Sequence, residues 1–184
     1  MELVYVSVLE AEFCEFESRP GHQLEDVMFV INNLRNFKEC EVLLKDSKEV
    51  HRTDDYIIRK KTTGRCLYYG LYDKNETFFG YVWLVRFINL PKTYQVYEFH
   101  IDKPYQKKGY GITLYKYLLL HDKITIISDL MYSEIAVKIW NKLIATNEIK
   151  VGIYNYNNNK IKFEDFKVEN AYKGDHLNLI ATKK

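Results

Sequence analysis

Between residues 95 and 121 the chain gathers groups that could hold a diphosphate and move a proton. Glu98 and His100 stand two positions apart. Each is a candidate general base, Glu98 as a carboxylate and His100 because an imidazole titrates near neutrality. The run Gln106-Lys107-Lys108-Gly109-Tyr110-Gly111 follows. Glycines at 109 and 111 would let the backbone approach a bound group without a side chain between them. A helix opening behind them would present unpaired N–H groups and the positive end of its dipole, a suitable setting for an anion. Lys107 and Lys108 add charge at the same place.

Three elements must position these groups. Val96, Phe99 and Ile101 mark an apolar strand over 95–101. In such a strand Gln95, Tyr97 and Phe99 share one face, while Glu98 and His100 share the other. A polar turn with Pro104 leads to a helical pattern from Ile112. Residues 123–128, with Ile124, Thr125, Ile126 and Ile127, form a β-branched run expected to be a buried parallel strand. The spacing then predicts a helix over 133–147, with Tyr132, Ala136, Ile139, Trp140 and Leu143 on one face.

The order strand, Gln-x-x-Gly-x-Gly, helix resembles the cofactor motif of the GNAT acyltransferases, whose loop holds the pyrophosphate of acetyl-coenzyme A. Gln106 falls at the motif's first position, and Gly109 and Gly111 fall at its glycines. The later helix is similar to the family pattern Asn-x-x-Ala-x-x-Leu-Tyr-x-Lys, with Ala136, Ile139 and Lys142 at fitting positions. Ser133 stands where the family usually has Asn, and Trp140 where it usually has the Tyr that protonates the departing thiolate. The agreement covers residues 77–147. It implies an α/β fold, a single GNAT-like domain over 1–184 with a mixed central β-sheet flanked by helices on both faces.

The same resemblance implies acetyl-CoA, or another acyl-CoA, as cofactor; the scattered cysteines and the lack of a His cluster suggest no metal. Expected cofactor contacts are Phe99, Ile101, Gln106, Lys107, Lys108, Gly109, Tyr110, Gly111 and Trp140. An acceptor amine would attack the thioester directly in a ternary complex, with much of the rate coming from orientation. Backbone N–H groups near His100 and Ile101 would polarise the thioester carbonyl. Tyr97 joins Glu98 and His100 as a base, because it matches the family's usual catalytic position on this strand. A bulge there, which the family has, would swap the strand's parity partway. Tyr132 and Ser133, with Asp129, could supply a water-relayed acid. The indole of Trp140 does not ionise in the working range, and a thiol pKa of about 8.5 makes an acid less necessary.

The remaining sequence bounds the class. A chain of 184 residues with 15% aromatic content and 16 Tyr is a globular domain and not a disordered chain. Its apolar runs fall short of the ~20 residues that cross a bilayer. The early Glu2, Glu10, Glu12, Glu15 and Glu17 are unlike a signal peptide, so a cytoplasmic location is expected. Cys14, Cys40 and Cys66 are far apart and suggest reduced thiols, mostly in the core. Lys, Asn, Ile and Tyr usage is what AT-rich coding gives, which fits a phage or low-GC bacterial source.

Charge is uneven: residues 1–50 carry net −6 and residues 51–184 net +8. Arg59, Lys60, Lys61 and Arg65 form either a solvated face or a seat for a phosphate-bearing acceptor. The acidic first part could instead attract a cationic amine. Other elements expected are a strand over 3–9, a helix over 24–34, a second helix over 42–48 and a hairpin of 65–72 with 77–87. A hairpin of 151–156 with 161–166 and a last strand over 177–182 follow. His22, His51, His121 and His176 have no partner pattern and are expected to be surface or structural.

Two classes of function are open. One is an N-acyltransferase whose acceptor is a small amine, a protein amine or an amino-bearing nucleobase. The alternative is a catalytically inactive GNAT-like domain, a CoA-binding or protein-interaction module. Partners would be the amine-bearing acceptor and, as an assembly option, a second copy in a homodimer. No membrane is expected, and nucleic acid would enter only as acceptor, since no recognition-helix context is present.

Overall fold

The computed structural model describes residues 37–128, 134–163, 168 and 177–184. The described elements run α1 (Phe37–Leu44), β1 (Lys48–Arg52), β2 (Tyr56–Thr63), β3 (Cys66–Asp73), β4 (Phe78–Arg86) and β5 (Thr93–Ile101). A 3-10 turn (Lys103–Tyr105), α2 (Tyr110–Lys116) with a π turn (Tyr117–His121), β6 (Thr125–Ile127), α3 (Glu134–Ile144), β7 (Ile149–Asn155), β8 (Lys160–Lys162) and β9 (Leu177–Lys183) complete them. The chain divides into two compact units, and the boundary between Val82 and Trp83 falls inside β4.

In the first unit β1, β2 and β3 form an antiparallel meander that continues to β4. Asp73 closes the β3–β4 turn, its Oδ1 accepting the N–H groups of Asn75 and Thr77 at 2.9 Å each. Seven successive residues of β3, from Cys66 to Tyr72, are buried, so this strand is covered on both faces. One cover is α1. A side chain at Gly70 would meet Leu44 Cδ1 at 3.0 Å, and the Tyr72 hydroxyl donates to the Leu44 carbonyl at 3.2 Å. That bond takes one of the carbonyls a helix end leaves unpaired.

The helix expected over 42–48 is therefore shifted to Phe37–Leu44. Its buried stripe is Cys40 and Leu44, spaced i, i+4, and Lys48 already belongs to β1. Two residues of the basic run are engaged locally. Arg59 lies 2.8 Å from Glu76 and over the Tyr72 ring at 4.7 Å, and Lys60 sits over Tyr69 at 5.2 Å.

The second unit holds the rest of β4 and a mixed sheet in the order β4-β5-β6-β9-β7-β8. Parallel β5 and β6 pair only over Thr93–Thr125, Tyr94–Ile126 and Gln95–Ile127. A parallel pair needs a crossover, and α2 is that crossover. It begins at Tyr110, two residues before the expected start, and widens after Lys116 into the π turn. There the Asp122 N–H reaches back to the Tyr117 carbonyl at 3.2 Å. Burial, and after it the Asp122 carboxylate, pushes the Tyr117 phenol up to about 12. β9 enters between β6 and β7, antiparallel to both. This is the expected fold class, α/β with a mixed sheet flanked by helices.

Element lengths differ modestly from expectation. β5 starts at Thr93, β6 is three residues, and α3 ends at Ile144 with a tight turn in which the Thr146 N–H reaches the Leu143 carbonyl. The expected strand over 3–9, the helix over 24–34, residues 164–166 of the last hairpin, and Cys14, His22, Asp129, Tyr132, Ser133 and His176 all lie outside the described residues. Cys40 and Cys66 are buried. No described helix is long and apolar enough to cross a membrane.

The end of β6 is clamped by β9. Asn178, fully buried, donates through Nδ2 to the Ser128 carbonyl at 2.7 Å, and Ser128 Oγ accepts the Leu179 N–H at 3.0 Å. Asn178→Ala should cost about 1–3 kcal/mol in denaturant unfolding, because it strands a buried carbonyl. A change below a few tenths of a kcal/mol would show that the clamp does not hold the strand.

Candidate functional site

Beyond Gln95, β5 runs on without β6. A cleft of about 620 Å³ borders this stretch, within the range of small-molecule sites. Six consecutive residues of β5, Val96 to Ile101, line it. Successive side chains of a strand point to opposite faces, so six in a row can border one space only through the strand's edge. The backbone of β5 is thus part of the wall. Burial along the strand breaks alternation as well, with Thr93 and Val96 buried three positions apart.

The loop after β5 is tied to the strand by one side chain and turned by a backbone hydrogen bond. The Gln106 amide donates to the Ile101 carbonyl at 2.7 Å, and the Tyr105 N–H donates to the Asp102 carbonyl at 2.9 Å. Gln106 thereby closes the strand's end, a structural duty besides the cofactor contact expected of it. Lys107 and Gly109 both have positive φ, 62° and 91°. For a lysine this costs on the order of 1 kcal/mol, a strain of the kind that recurs at ligand-binding turns. Alternating left-handed residues turn successive N–H groups toward one side, a concavity that suits an anion. A side chain at Gly109 would have nothing within 4 Å, so the loop's surface there is open to a ligand.

Gly111 has a packing duty besides the cofactor contact expected of it. A Cβ there would lie 3.1 Å from Phe99 Cζ and 3.2 Å from Ile139 Cδ1. The missing side chain makes room for β5 and α3 to pack on α2. One turn later Tyr115 stands edge-on between Phe99 (centroids 5.8 Å) and Trp140 (6.2 Å). Gly111, Tyr115, Phe99, Ile139 and Trp140 all line the cleft, and Trp140 is only 2% exposed. On α3 the expected face is buried at Ile139, Trp140 and Leu143, and Ala136 is half-buried.

The structure brings Tyr97, Glu98, His100, Phe99, Ile101, Gln106, Lys107, Gly109, Tyr110, Gly111 and Trp140 to this one cleft. Lys108 is not among the lining residues; its Nζ sits over the Tyr105 ring at 5.4 Å. Tyr132 and Ser133 fall outside the described residues. The Tyr97 ring packs on buried Trp83, centroids 4.7 Å apart. His100 Nε2 lies 3.4 Å from Asp102 Oδ1, both side chains about two-fifths exposed, so the pair contributes little stability. Asp102, Tyr115 and Lys138 were not anticipated from sequence. The first two carried signals in their spacing, Asp102 two residues from His100 on a strand and Tyr115 four from Gly111 on a helix.

Charge around the cleft is divided. Lys107 stands on the loop, Lys138 and Lys142 on α3, and Glu98 on β5. Such a set fits a ligand with an anionic arm crossing the α2–α3 side and a reactive end beside β5. The open Gly109, the left-handed turn and the three lysines are what a diphosphate would need, and they are present.

No family model and no curated protein matches the chain. Among solved structures it is similar to a spermidine N-acetyltransferase from Vibrio cholerae in complex with CoA and spermine. That match has 12% identity and a TM-score of 0.39, over 65% of this chain and 66% of that one. It is also similar to a GNAT-family acetyltransferase from Staphylococcus aureus Mu50 (11%, 0.39, 64% and 68%). A third is the ribosomal-protein-S18-alanine N-acetyltransferase from Escherichia coli (11%, 0.41, 80% and 89%). The chain spans just under two thirds of the length of the Vibrio enzyme.

The two glycines should respond differently to substitution. Gly111→Val forces Phe99 and Ile139 apart and should lower unfolding stability by about 1–3 kcal/mol, as overpacking does. Gly109→Val meets no neighbour and carries only the strain of a positive φ, about 1–2 kcal/mol. Its main effect should be on ligand affinity, read by calorimetry. Equal stability of Gly111→Val and the natural protein would contradict the packing role.

Proposed function

We propose that the cleft of the second unit binds acetyl-CoA or another acyl-CoA, and that the protein transfers the acyl group to an amine by direct attack. The observation that carries this is the joining of a left-handed, lysine-bearing turn at a helix start to an open strand edge with Glu98 and His100 beside it. Two of the solved structures it is similar to are named for spermidine and for a ribosomal protein.

In this reading the loop N–H groups of residues 107–111, with Lys107, Lys138 and Lys142, hold the diphosphate and phosphate charges. Phe99, Ile101, Tyr110 and Trp140 border the apolar arm. When bound, the cofactor supplies an acyl group activated as a thioester. The edge of β5 aligns that carbonyl, and its N–H groups polarise it. Glu98, His100 or Tyr97 takes the proton that the attacking amine loses, directly or through one water. The amine's C–N bond forms, the C–S bond breaks, and the electron pair leaves on sulfur. Glu98 gives the acceptor end of the cleft a negative group, suited to a cationic amine.

Trp140 carries the second reading, a domain that binds CoA or a protein without catalysis. Its ring is buried where the resemblance expects an acidic phenol, and here it serves as a wall against the pantetheine arm.

Native mass spectrometry of the purified protein should show copurified CoA, and calorimetry should show acetyl-CoA binding. Failure of both sinks the proposal. Glu98→Gln or Tyr97→Phe should lower turnover by about 10²- to 10⁴-fold with little change in cofactor affinity. Full activity in both would move the base to a water or to residues 129–133. Trp140→Tyr should keep the fold and alter the rate by less than about tenfold, because a thiolate needs little protonation near neutral pH. A gain of a hundredfold would favour the noncatalytic reading of the natural protein.

A further inference from the structure

We infer that Asp102 is a positioning residue, holding the His100 imidazole so that its Nδ1 takes the proton lost by the attacking amine. The inference rests on the acyl-transfer reading, names His100 among the three candidate bases and adds a residue from outside the cleft. His100 borders the cleft, and Asp102 does not. Asp102 is the first residue past the end of β5, and its Oδ1 lies 3.4 Å from His100 Nε2. A carboxylate only accepts, so the hydrogen in that contact belongs to Nε2. In the neutral ring the lone pair is then on Nδ1.

The local backbone explains why this carboxylate is available to the imidazole. Asp102 occupies the N-cap position of the 3-10 turn Lys103–Tyr105, where an aspartate ordinarily accepts the N–H of the second or third residue. Here the second is Pro104, which has no N–H. The third, Tyr105, gives its N–H to the Asp102 carbonyl at 2.9 Å. No side-chain cap forms. On the other side the Gln106 amide ties the Ile101 carbonyl at 2.7 Å, so the carboxylate is carried on a fixed backbone.

The contact supplies orientation and not stability. With 42% of the His100 side chain and 43% of the Asp102 side chain exposed, solvent screens the pair. Catalytic contacts of this kind are often long without substrate and tighten when it binds. As the amine's C–N bond forms and the C–S bond breaks, the electron pair leaves on sulfur and the amine proton passes to Nδ1, directly or through one water. The imidazolium so formed faces the Asp102 carboxylate, which stabilises its charge. It then returns the proton to solvent, and the thiolate takes one from solvent. Glu98 remains the group that meets the cationic acceptor.

Two measurements test this, and one is independent of turnover. With CoA bound and histidine isotopically labelled, the imidazole nitrogens are read by NMR at a pH about two units above the usual imidazole value of ~6.5. His100 is assigned by its absence in His100→Gln. In the natural protein its proton should sit on Nε2 in a single tautomer. Asp102→Asn keeps the shape of the side chain but should mix the two tautomers, since an amide donates as well as accepts. Identical His100 spectra in the two proteins would overturn the inference and leave the acyl-CoA reading standing. The second measurement is a double-mutant cycle on thiol release from acetyl-CoA, with a panel of primary amines as acceptors. Asp102→Asn alone should lower kcat about ten- to a hundredfold, less than loss of the base itself, with KM for acetyl-CoA within about twofold. In a His100→Gln background the same change should alter kcat by less than about twofold, because a residue that acts through His100 has nothing left to act on. Equal effects in both backgrounds would show a purely structural role and overturn the inference. No CoA binding, or no transfer to any amine, by the natural protein would remove the acyl-transfer reading and this inference with it.

Discussion

The second unit depends on one divergence, the parting of β6 from β5 after three residue pairs. A strand's edge carries unpaired N–H and C=O groups that a neighbouring strand would normally take. Here the neighbour stops at Ile127, and Val96 to Ile101 border a cleft instead. Everything that makes the cleft usable is an answer to that opening. Gln106 takes the last carbonyl of β5, α2 starts directly behind the loop, and the Asn178 clamp keeps the end of β6 in place on the far side.

The opening would be filled by side chains if the helices stood closer, or flooded if they stood farther away. Gly111 and Phe99 set that spacing. The ring occupies the volume a side chain at 111 would need, and Ile139 reaches the same spot from α3. Close packing of this kind transmits small changes directly, since protein interiors have few voids to absorb them. The site is for this reason sensitive to the volume of residues that carry no charge.

Polar and charged groups are distributed by the same geometry. β5 brings Glu98 and His100 to the cleft, with Asp102 just beyond the strand's end, while the loop brings Lys107 and α3 brings Lys138 and Lys142. The first unit shows the contrasting use of charge. Arg59 is held by Glu76 and the Tyr72 ring.

Local pattern was enough to find β3, β4, β5, the loop, α3 and the β7–β8 hairpin, because aromatic and β-branched strand residues, the 3.6-residue period of α3 and the Gly and Asn turns are written residue by residue. It misplaced α1, since the polar stretch 45–47 that ends the helix looks locally like its middle and only packing of Cys40 and Leu44 on β3 fixes the frame. The identity of Gly109 as a left-handed position followed from residue type, as only glycine adopts φ near 91° without cost. That Gly111 is a packing glycine did not, because its neighbours Phe99 and Ile139 are 12 and 28 residues away in the chain. The same holds for Tyr115, a residue of ordinary helical spacing that becomes notable only between Phe99 and Trp140. Sequence alone determined which groups could do chemistry and on which elements they ride. The tertiary structure decided which of them share a cleft, because the parting of two strands and the crossing of two helices are long-range contacts that no local period encodes.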